Sequence, residues 1–393
     1  MKVFMVGWEL PPLNSGGLGE ACYGLAKALS KKGVMINFIL PYDFNIKSDF
    51  MNILYAGGKV NSKKILGPYL SYSQWLKAAK LGSVNFVDYL SQVLDYAENI
   101  KELARRENAD IIHMHDWLTY PAGISAQEIL KCPLVAHVHA TEFDRTGGRF
   151  LNEGVYDIEK TGFEKSDRIL PVGGIVKRTI TERYGIDQSK IKVIYNGVED
   201  SSKPRIDPAL LNFKKLGYKL VLFLGRITMQ KGPDYFVKAA AIVARYYPKA
   251  VFVVTGSGDM LVQMIREATD LGIIDKFIFT GFLRGNEKDS IYQAADVYVM
   301  PSISEPFGIT ALEAVKNRTP VIVSKQSGVS EVLRSALKVD FWDTEELANK
   351  ILGILKYKSL PKDLKRESVR EIVNLTWDRS ADEVIKVYQQ LIY

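Results

Sequence analysis

The feature that most constrains this chain is an alternation of two hydrophobic rhythms that runs along the first half and then again along the second. Short Val/Ile/Leu/Phe-rich runs of strand length alternate with longer segments whose apolar residues return at helical spacing. Near-continuous apolar runs separated by helices belong to a parallel sheet covered on both faces, because a parallel connection needs a long crossover. In the first half the strand candidates are 2–6, 34–40, 84–88, 111–114, 134–138, 169–172 and 193–195, with helical stretches such as 20–32 and 90–107 between them. In the second half they are 220–224, 251–255, 277–280, 297–300 and 321–324, and the last fifty residues read as helices ending with 377–391. At 393 residues the chain suits two α/β domains rather than one core. Ser201-Ser202-Lys203-Pro204 separates the halves and reads as a hinge, which predicts domains at 1–198 and 199–375 followed by a terminal helical segment, 376–393.

Charge narrows the ligands. The net charge of +7 and a pI near 9.0 fit nucleic acid, an anionic membrane surface or a polyphosphate ligand. The basic residues are scattered and no nucleic-acid fold signature appears, so the expectation is a phosphate ligand and no nucleic-acid partner, with a membrane surface as the alternative use of the charge. Only Cys22 and Cys132 occur, which excludes a disulfide framework and a four-cysteine zinc site. The apolar start is cut short by Trp8-Glu9-Leu10-Pro11-Pro12 and no apolar run reaches membrane length, so a cytoplasmic location is expected.

In an open parallel sheet, ligands sit beyond the carboxyl ends of the strands, and the chemistry-bearing motifs fall there. Gly16-Gly17-Leu18-Gly19 follows the first strand and opens a helix, so its N–H groups can approach a phosphate; a plain flexible turn is the alternative. It lacks dinucleotide-binding spacing, and Asp43 lies in a Pro-Tyr-Asp loop rather than at a ribose position. All four histidines form two pairs, His113 with His115 and His137 with His139, each at the end of a strand with both members on one face. They suit buried structural roles or a four-histidine metal site, although no acidic spacing completes a metal signature. Asp116 and His139 stand on the loops and are the site candidates of this half.

In the second half, Arg226 and Lys231 lie between a strand and the helix that Pro233 opens, where a guanidinium and an ammonium suit two adjacent phosphates. Ser304-Glu305-Pro306-Phe307-Gly308-Ile309-Thr310-Ala311-Leu312-Glu313 follows another strand. Placed on one helix, Glu305 and Glu313 would be about 12 Å apart, comparable to the span from a sugar to the ribose of a nucleotide sugar. Between them Gly308, Ile309 and Thr310 offer first-turn N–H groups to an anion. Gly256-Ser257-Gly258-Asp259 reaches toward a nucleotide or is a helix cap.

These motifs together resemble the retaining GT-B glycosyltransferases that include glycogen and starch synthases, over essentially the whole chain. The resemblance implies two Rossmann-like domains facing each other across a cleft, with the last helix crossing back onto the first domain. It matches Gly16 and Gly17 to the glucan synthases' glycine loop, Asp116 to their His-Asp-Trp aspartate, His139 to their site histidine, Arg226 and Lys231 to the diphosphate-binding pair, and Glu305 and Glu313 to the E-x7-E motif. By that likeness Glu313 binds the donor ribose and Glu305 faces the transferred sugar. No metal or cofactor is implied beyond the donor substrate, ADP-glucose or UDP-glucose, and no Asp-x-Asp occurs. Where glucan synthases carry Lys two positions before the paired glycines, this chain has Asn14. The expected partners are a nucleotide sugar and a glucan or other sugar acceptor. An α-glucan synthase is the leading reading, beside a hexosyltransferase acting on a small sugar or lipid, a nucleotide-sugar epimerase, and a noncatalytic nucleotide-sugar-binding regulator.

Overall fold

The computed structural model describes residues 1–14, 16–58, 86–148, 151–199 and 206–393. They divide into two compact units, Met1–Gly197 with Thr376–Tyr393, and Val198–Leu375. The hinge expected at 201–204 lies outside the described residues.

In the first unit six parallel strands, β1 (Lys2–Val6), β2 (Met35–Leu40), β3 (Asn52–Tyr55), β4 (Ile111–His115), β5 (Leu134–Val138) and β6 (Arg168–Pro171), line up in the order β3-β2-β1-β4-β5-β6. Val3, Phe4, Met5 and Val6 are fully buried, as expected for a strand covered on both faces. In the second unit β7 (Lys219–Leu224), β8 (Ala250–Thr255), β9 (Phe277–Gly281), β10 (Val297–Met300), β11 (Val321–Ser324) and β12 (Leu337–Val339) take the order β12-β11-β10-β7-β8-β9. Phe223, Phe236, Phe252 and Phe277 meet in its core beside Val221, Val254 and Ile351. Each order reverses direction once, between β1 and β4 and between β7 and β10, and loops leaving the sheet at such a point diverge to leave a crevice.

Three expectations change. Residues 86–88, expected at the end of a strand, open the helix Phe86–Arg106 instead, where Val93, Tyr96, Ala97, Ile100 and Ala104 are buried at helical spacing. Residues 193–195 run beside β6 without becoming a strand: Lys192 and Ile194 donate to Ile169 and Pro171 carbonyls, but Pro171 has no N–H to return. The edge strands β3 and β12 are additional; they are four and three residues long and largely half-buried, too short for a periodic signal.

Among the described residues no helix is long and apolar enough to cross a membrane. The final helix, Trp377–Ile392, packs on the helix Gly17–Lys31 of the first unit, and a side chain at Gly24 would overlap the Trp377 ring. Ser380 Oγ donates to the Tyr195 carbonyl at 2.7 Å, and Lys32 and Lys192 pair with Asp382 and Glu383 at 2.7 and 2.8 Å.

Candidate active site

The second unit assembles its motifs around the β7/β10 crevice. After β7, Gly225 and Arg226 turn out of the sheet, Met229–Lys231 form one 3-10 turn, and Gly232 (φ +64°) redirects the chain into the helix Pro233–Tyr246. Gly232 is obligatory in two ways: its φ disfavours L side chains, and a Cβ would strike the Pro301 carbonyl. Gly258 likewise leaves no room between itself and the Ile227 carbonyl. The loops after β7 and β8 are thereby laid flat together, with Ile227 donating to Ser257 O at 2.8 Å and Met260 to Ile227 O at 3.0 Å. The helix after this loop is entered at Met260, which supplies no side-chain cap, and the 256–259 segment packs the two loops together.

Glu305 and Glu313 are not on one helix, contrary to the expectation. The helix spans Ile309–Lys316, entered through Gly308 at φ +107°, and Glu305 lies before it in an extended bridge to Ser327. Pro306 explains the break, since it disfavours helical conformation at the residue before it. Glu305 donates its N–H to the Gln326 carbonyl at 3.1 Å and accepts the Gly328 N–H at 2.8 Å, so the loops after β10 and β11 hold it in place. Its carboxylate pairs with the Lys231 ammonium and accepts from Ser302 Oγ at 3.4 Å. Arg226 Nη2 donates to Gln230 at 3.2 Å. Lys231 and Glu305, far apart in sequence, thus form one ion pair between the two loops that diverge at the crevice.

Glu313 forms a second couple. Lys288 Nζ bonds it at 2.7 Å and the Tyr292 hydroxyl at 3.2 Å, both from the helix Gly285–Ala294. Sequence reasoning missed Lys288; a lone lysine on an amphipathic helix carries no signal until its partner is known. Thr310 accepts from the Tyr298 hydroxyl at 2.9 Å, and Gly308 offers no side chain to cap the helix start, which leaves its first-turn N–H groups to other acceptors.

The first unit gathers the other candidates after β1, β4 and β5. Gly16 is the N-cap of Gly17–Lys31, and a Cβ at Gly17 would meet nothing within 4 Å, whereas at Gly19 it would lie 2.6 Å from Asn14 Cβ. Asn14, in place of the glucan synthases' lysine, is buried and donates to Gly16 O at 3.0 Å and Glu20 at 3.3 Å, so it organises the loop from within.

The histidines interleave because His115 on β4 lies in register with His137 on β5. His113 Nε2 and His137 Nδ1 are 3.2 Å apart, His115 Nδ1 and His139 Nε2 are 3.0 Å apart, and the Tyr388 hydroxyl of the final helix bonds His113 Nδ1. The two pairs stack, with ring centroids at 4.6 Å for His113 with His115 and for His137 with His139. Burial holds all four well toward the neutral form, His137 down to about 3, and neighbouring imidazoles add to it at His113, His115 and His139. Potential ligand atoms of His113, His115 and His137, and of Cys22, His115 and His139, lie within 4.8 Å of one another. The three rings of the first set are within 22° of parallel, so their in-plane lone pairs cannot converge tetrahedrally, and His115 and His139 already share a proton. The arrangement is that of paired imidazoles.

Asp116 is 2 % exposed, with φ +62°, and its Oδ1 accepts the N–H groups of His139 at 2.6 Å and Ala140 at 3.3 Å. Burial pushes its carboxyl up to about 7, against the opposing pull of Arg145 and of those two N–H donors.

Comparison with known proteins follows the same division. The model described as Glycosyltransferase Family 4 matches residues 15–202, and that described as Glycosyl transferases group 1 matches 211–370. An uncharacterized glycosyltransferase of Methanocaldococcus jannaschii is 28% identical, covering 99% of this chain and 98% of its own. A D-inositol 3-phosphate glycosyltransferase of Acidothermus cellulolyticus is 30% identical over 72% of this chain and 67% of its own. A glycogen synthase of Mycobacterium tuberculosis is 25% identical over 85% and 80%. Among solved structures, a sucrose-phosphate synthase of Thermosynechococcus elongatus superposes with a TM-score of 0.79 at 20% identity, covering 100% of this chain and 99% of its own, which speaks to the fold.

Proposed function

Because this chain belongs to the GT-B glycosyltransferases, we propose that it is a retaining, metal-independent hexosyltransferase, a glucan synthase that moves glucose from ADP-glucose or UDP-glucose onto an α-1,4-glucan. The observation that carries this reading is the pair of cation–carboxylate couples, Lys231 with Glu305 and Lys288 with Glu313, on either side of the helix start at Gly308. A bound nucleoside diphosphate gives the Lys231 cation a new partner and frees Glu305 to face the sugar. Arg226, Lys231 and the N–H groups of Gly308, Ile309 and Thr310 then take the diphosphate, and Glu313 takes the ribose hydroxyls.

In the first unit, Gly16, Gly17 and His139 are assigned to sugar or phosphate contacts, with the neutral imidazole hydrogen-bonding a sugar hydroxyl. In the reaction the acceptor oxygen bonds to the anomeric carbon on the face from which the phosphate oxygen departs. The acceptor's proton passes to that departing oxygen, so no protein nucleophile is required. Charge growing on the leaving diphosphate is met by Arg226, Lys231 and the helix start in place of a metal ion.

A second reading, transfer to a small acceptor, is favoured by Asn14 in place of the glucan synthases' lysine and by the similarity to the D-inositol 3-phosphate enzyme. The test is product analysis after incubation with ADP-glucose or UDP-glucose and glycogen, free sugars, a sugar phosphate or lipid extract, all in excess chelator. Elongation of glycogen by α-linked glucose supports the proposal. Transfer to the small acceptors alone moves the assignment to the second reading. Donor isomerised without an acceptor, a β-linked product, or activity abolished by chelator and restored by a divalent ion would each overturn it.

A further inference from the structure

Asp116 and Arg145 grip the segment after β5 from two sides. Asp116 Oδ1 accepts the N–H groups of His139 and Ala140, while Arg145 Nη1 donates to the Ala140 carbonyl at 3.0 Å. Asp116 is itself over-determined, since a non-glycine residue at φ +62°, ψ +170° is costly unless its surroundings impose it. Its N–H donates to His137 O at 3.0 Å, and its carbonyl accepts from the Thr119 N–H at 3.0 Å and hydroxyl at 2.9 Å. Arg145 is only 10% exposed and is anchored by Glu142 at 3.1 Å and by Glu159, whose other oxygen accepts from the Tyr184 hydroxyl; its guanidinium lies 5.9 Å from the Trp117 ring. A buried arginine with two carboxylates and one backbone carbonyl is far more machinery than a surface turn of this length requires.

Resting on the reading that His139 touches a sugar hydroxyl, we propose that Asp116 and Arg145 are positioning residues that set the backbone of His139, and that Asp116 works as a hydrogen-bond acceptor rather than as a charged group meeting substrate. The carboxylate that the His-Asp-Trp likeness suggests for chemistry is turned toward the backbone of residues 139 and 140. An amide oxygen can accept the same two N–H groups, which separates this role from any that needs a negative charge.

The experiment compares Asp116→Ala, Asp116→Asn, Arg145→Ala and His139→Ala, with the double variant Asp116→Ala/His139→Ala, in the full chain. It reads steady-state transfer from ADP-glucose or UDP-glucose and amide hydrogen exchange at residues 139 and 140. Asp116→Ala and Arg145→Ala are expected to speed exchange at these amides and to lower kcat about a hundredfold with donor KM little changed, the scale of a small misplacement of a reacting group. Asp116→Asn should restore both protection and most of the turnover, and Asp116→Ala should cost little more once His139 is already Ala.

Unchanged protection in Asp116→Ala would overturn the proposal. So would an Asp116→Asn variant that keeps native protection yet turns over as poorly as the alanine, or losses at 116 and 139 that multiply in the double variant. Should Asp116→Ala not fold, Asp116→Asn decides alone by those same two readouts. Should no acceptor be glycosylated at all, the functional reading fails, while the exchange data still decide the grip on residues 139 and 140.

Discussion

Lys231 and Glu305 reach each other across two loops, and this changes what their substitution does. Glu305 is assigned to the sugar, where positive charge builds as the glycosidic bond lengthens, so Glu305→Gln should mainly lower kcat. Because Glu305 also holds Lys231, the same variant should raise donor KM modestly, whereas Glu313→Gln, proposed to act at the ribose, should raise KM with kcat nearly unchanged. Steady-state kinetics on variants shown to be folded check this; the reverse pattern would mean the donor lies the other way round. Removal of Arg226 by Arg226→Ala should cost about 3 kcal/mol in kcat/KM, the scale of a lost oxyanion donor.

The buried histidines make a separate prediction about pH. Their folded pKa values lie below the unfolded value near 6.5, so the unfolded chain takes up four protons that the folded chain refuses, and stability is lost as pH falls through that region. Two buried carboxyls oppose this, Asp116 with a folded pKa of about 7 and Glu159, which burial also raises above the unfolded carboxylate value. Urea midpoints measured from pH 7 to 5 should drop steeply; a flat profile would show that the imidazoles are charged in the fold. At this scale the motif residues were legible because glycines, paired cations and paired carboxylates after strands are rare combinations. Lys288 and Arg145 were not, because Glu313 and Glu159, which pair with them, come from other elements.

Among the elements, the loop between β1 and the helix Gly17–Lys31 separates glycines kept for packing from glycines kept for access. Gly19→Ala puts a Cβ 2.6 Å from Asn14 Cβ and should cost about 1–3 kcal/mol in stability, the range for overpacking. Gly17→Ala meets no protein atom and should be neutral to slightly stabilising, while slowing transfer if a phosphate or sugar approaches there. Chemical denaturation with donor kinetics on both variants checks the pair; a Gly17→Ala chain with native turnover removes that glycine from the site. The interior strands were all legible because full burial on both faces writes a continuous apolar run, as in β1, β5 and β10. The edge strands β3 and β12 write almost none. At the site, the helix that carries Glu313 starts only at Ile309 and so leaves out Glu305, contrary to the expectation; Pro306 held the contrary signal, and Gly308 at φ +107° is what allows the late start.

For the whole molecule, the division into units does not follow chain order. The second unit is continuous, Val198–Leu375, but the first is completed by Thr376–Tyr393. The Tyr388 hydroxyl reaches His113 and Trp377 fills the space over Gly24, so removing 376–393 should destabilise the first unit selectively and leave the second unit's unfolding transition in place. Calorimetry of the truncated and full chains checks this; equal loss in both transitions would contradict it. The two-unit layout was legible from the repeated rhythm, whereas the return of the last helix came from family resemblance, since an amphipathic segment does not name the face it will cover. Synthesis from the ribosome gives this arrangement a consequence in time. The first unit emerges early but lacks its last helix until some 196 further residues have been made, roughly 10–40 s later at ordinary elongation rates. The second unit, translated later, can mature sooner. During that interval the Gly24 face and the histidine stack await their cover, so the nascent first half exposes apolar surface that the finished chain buries.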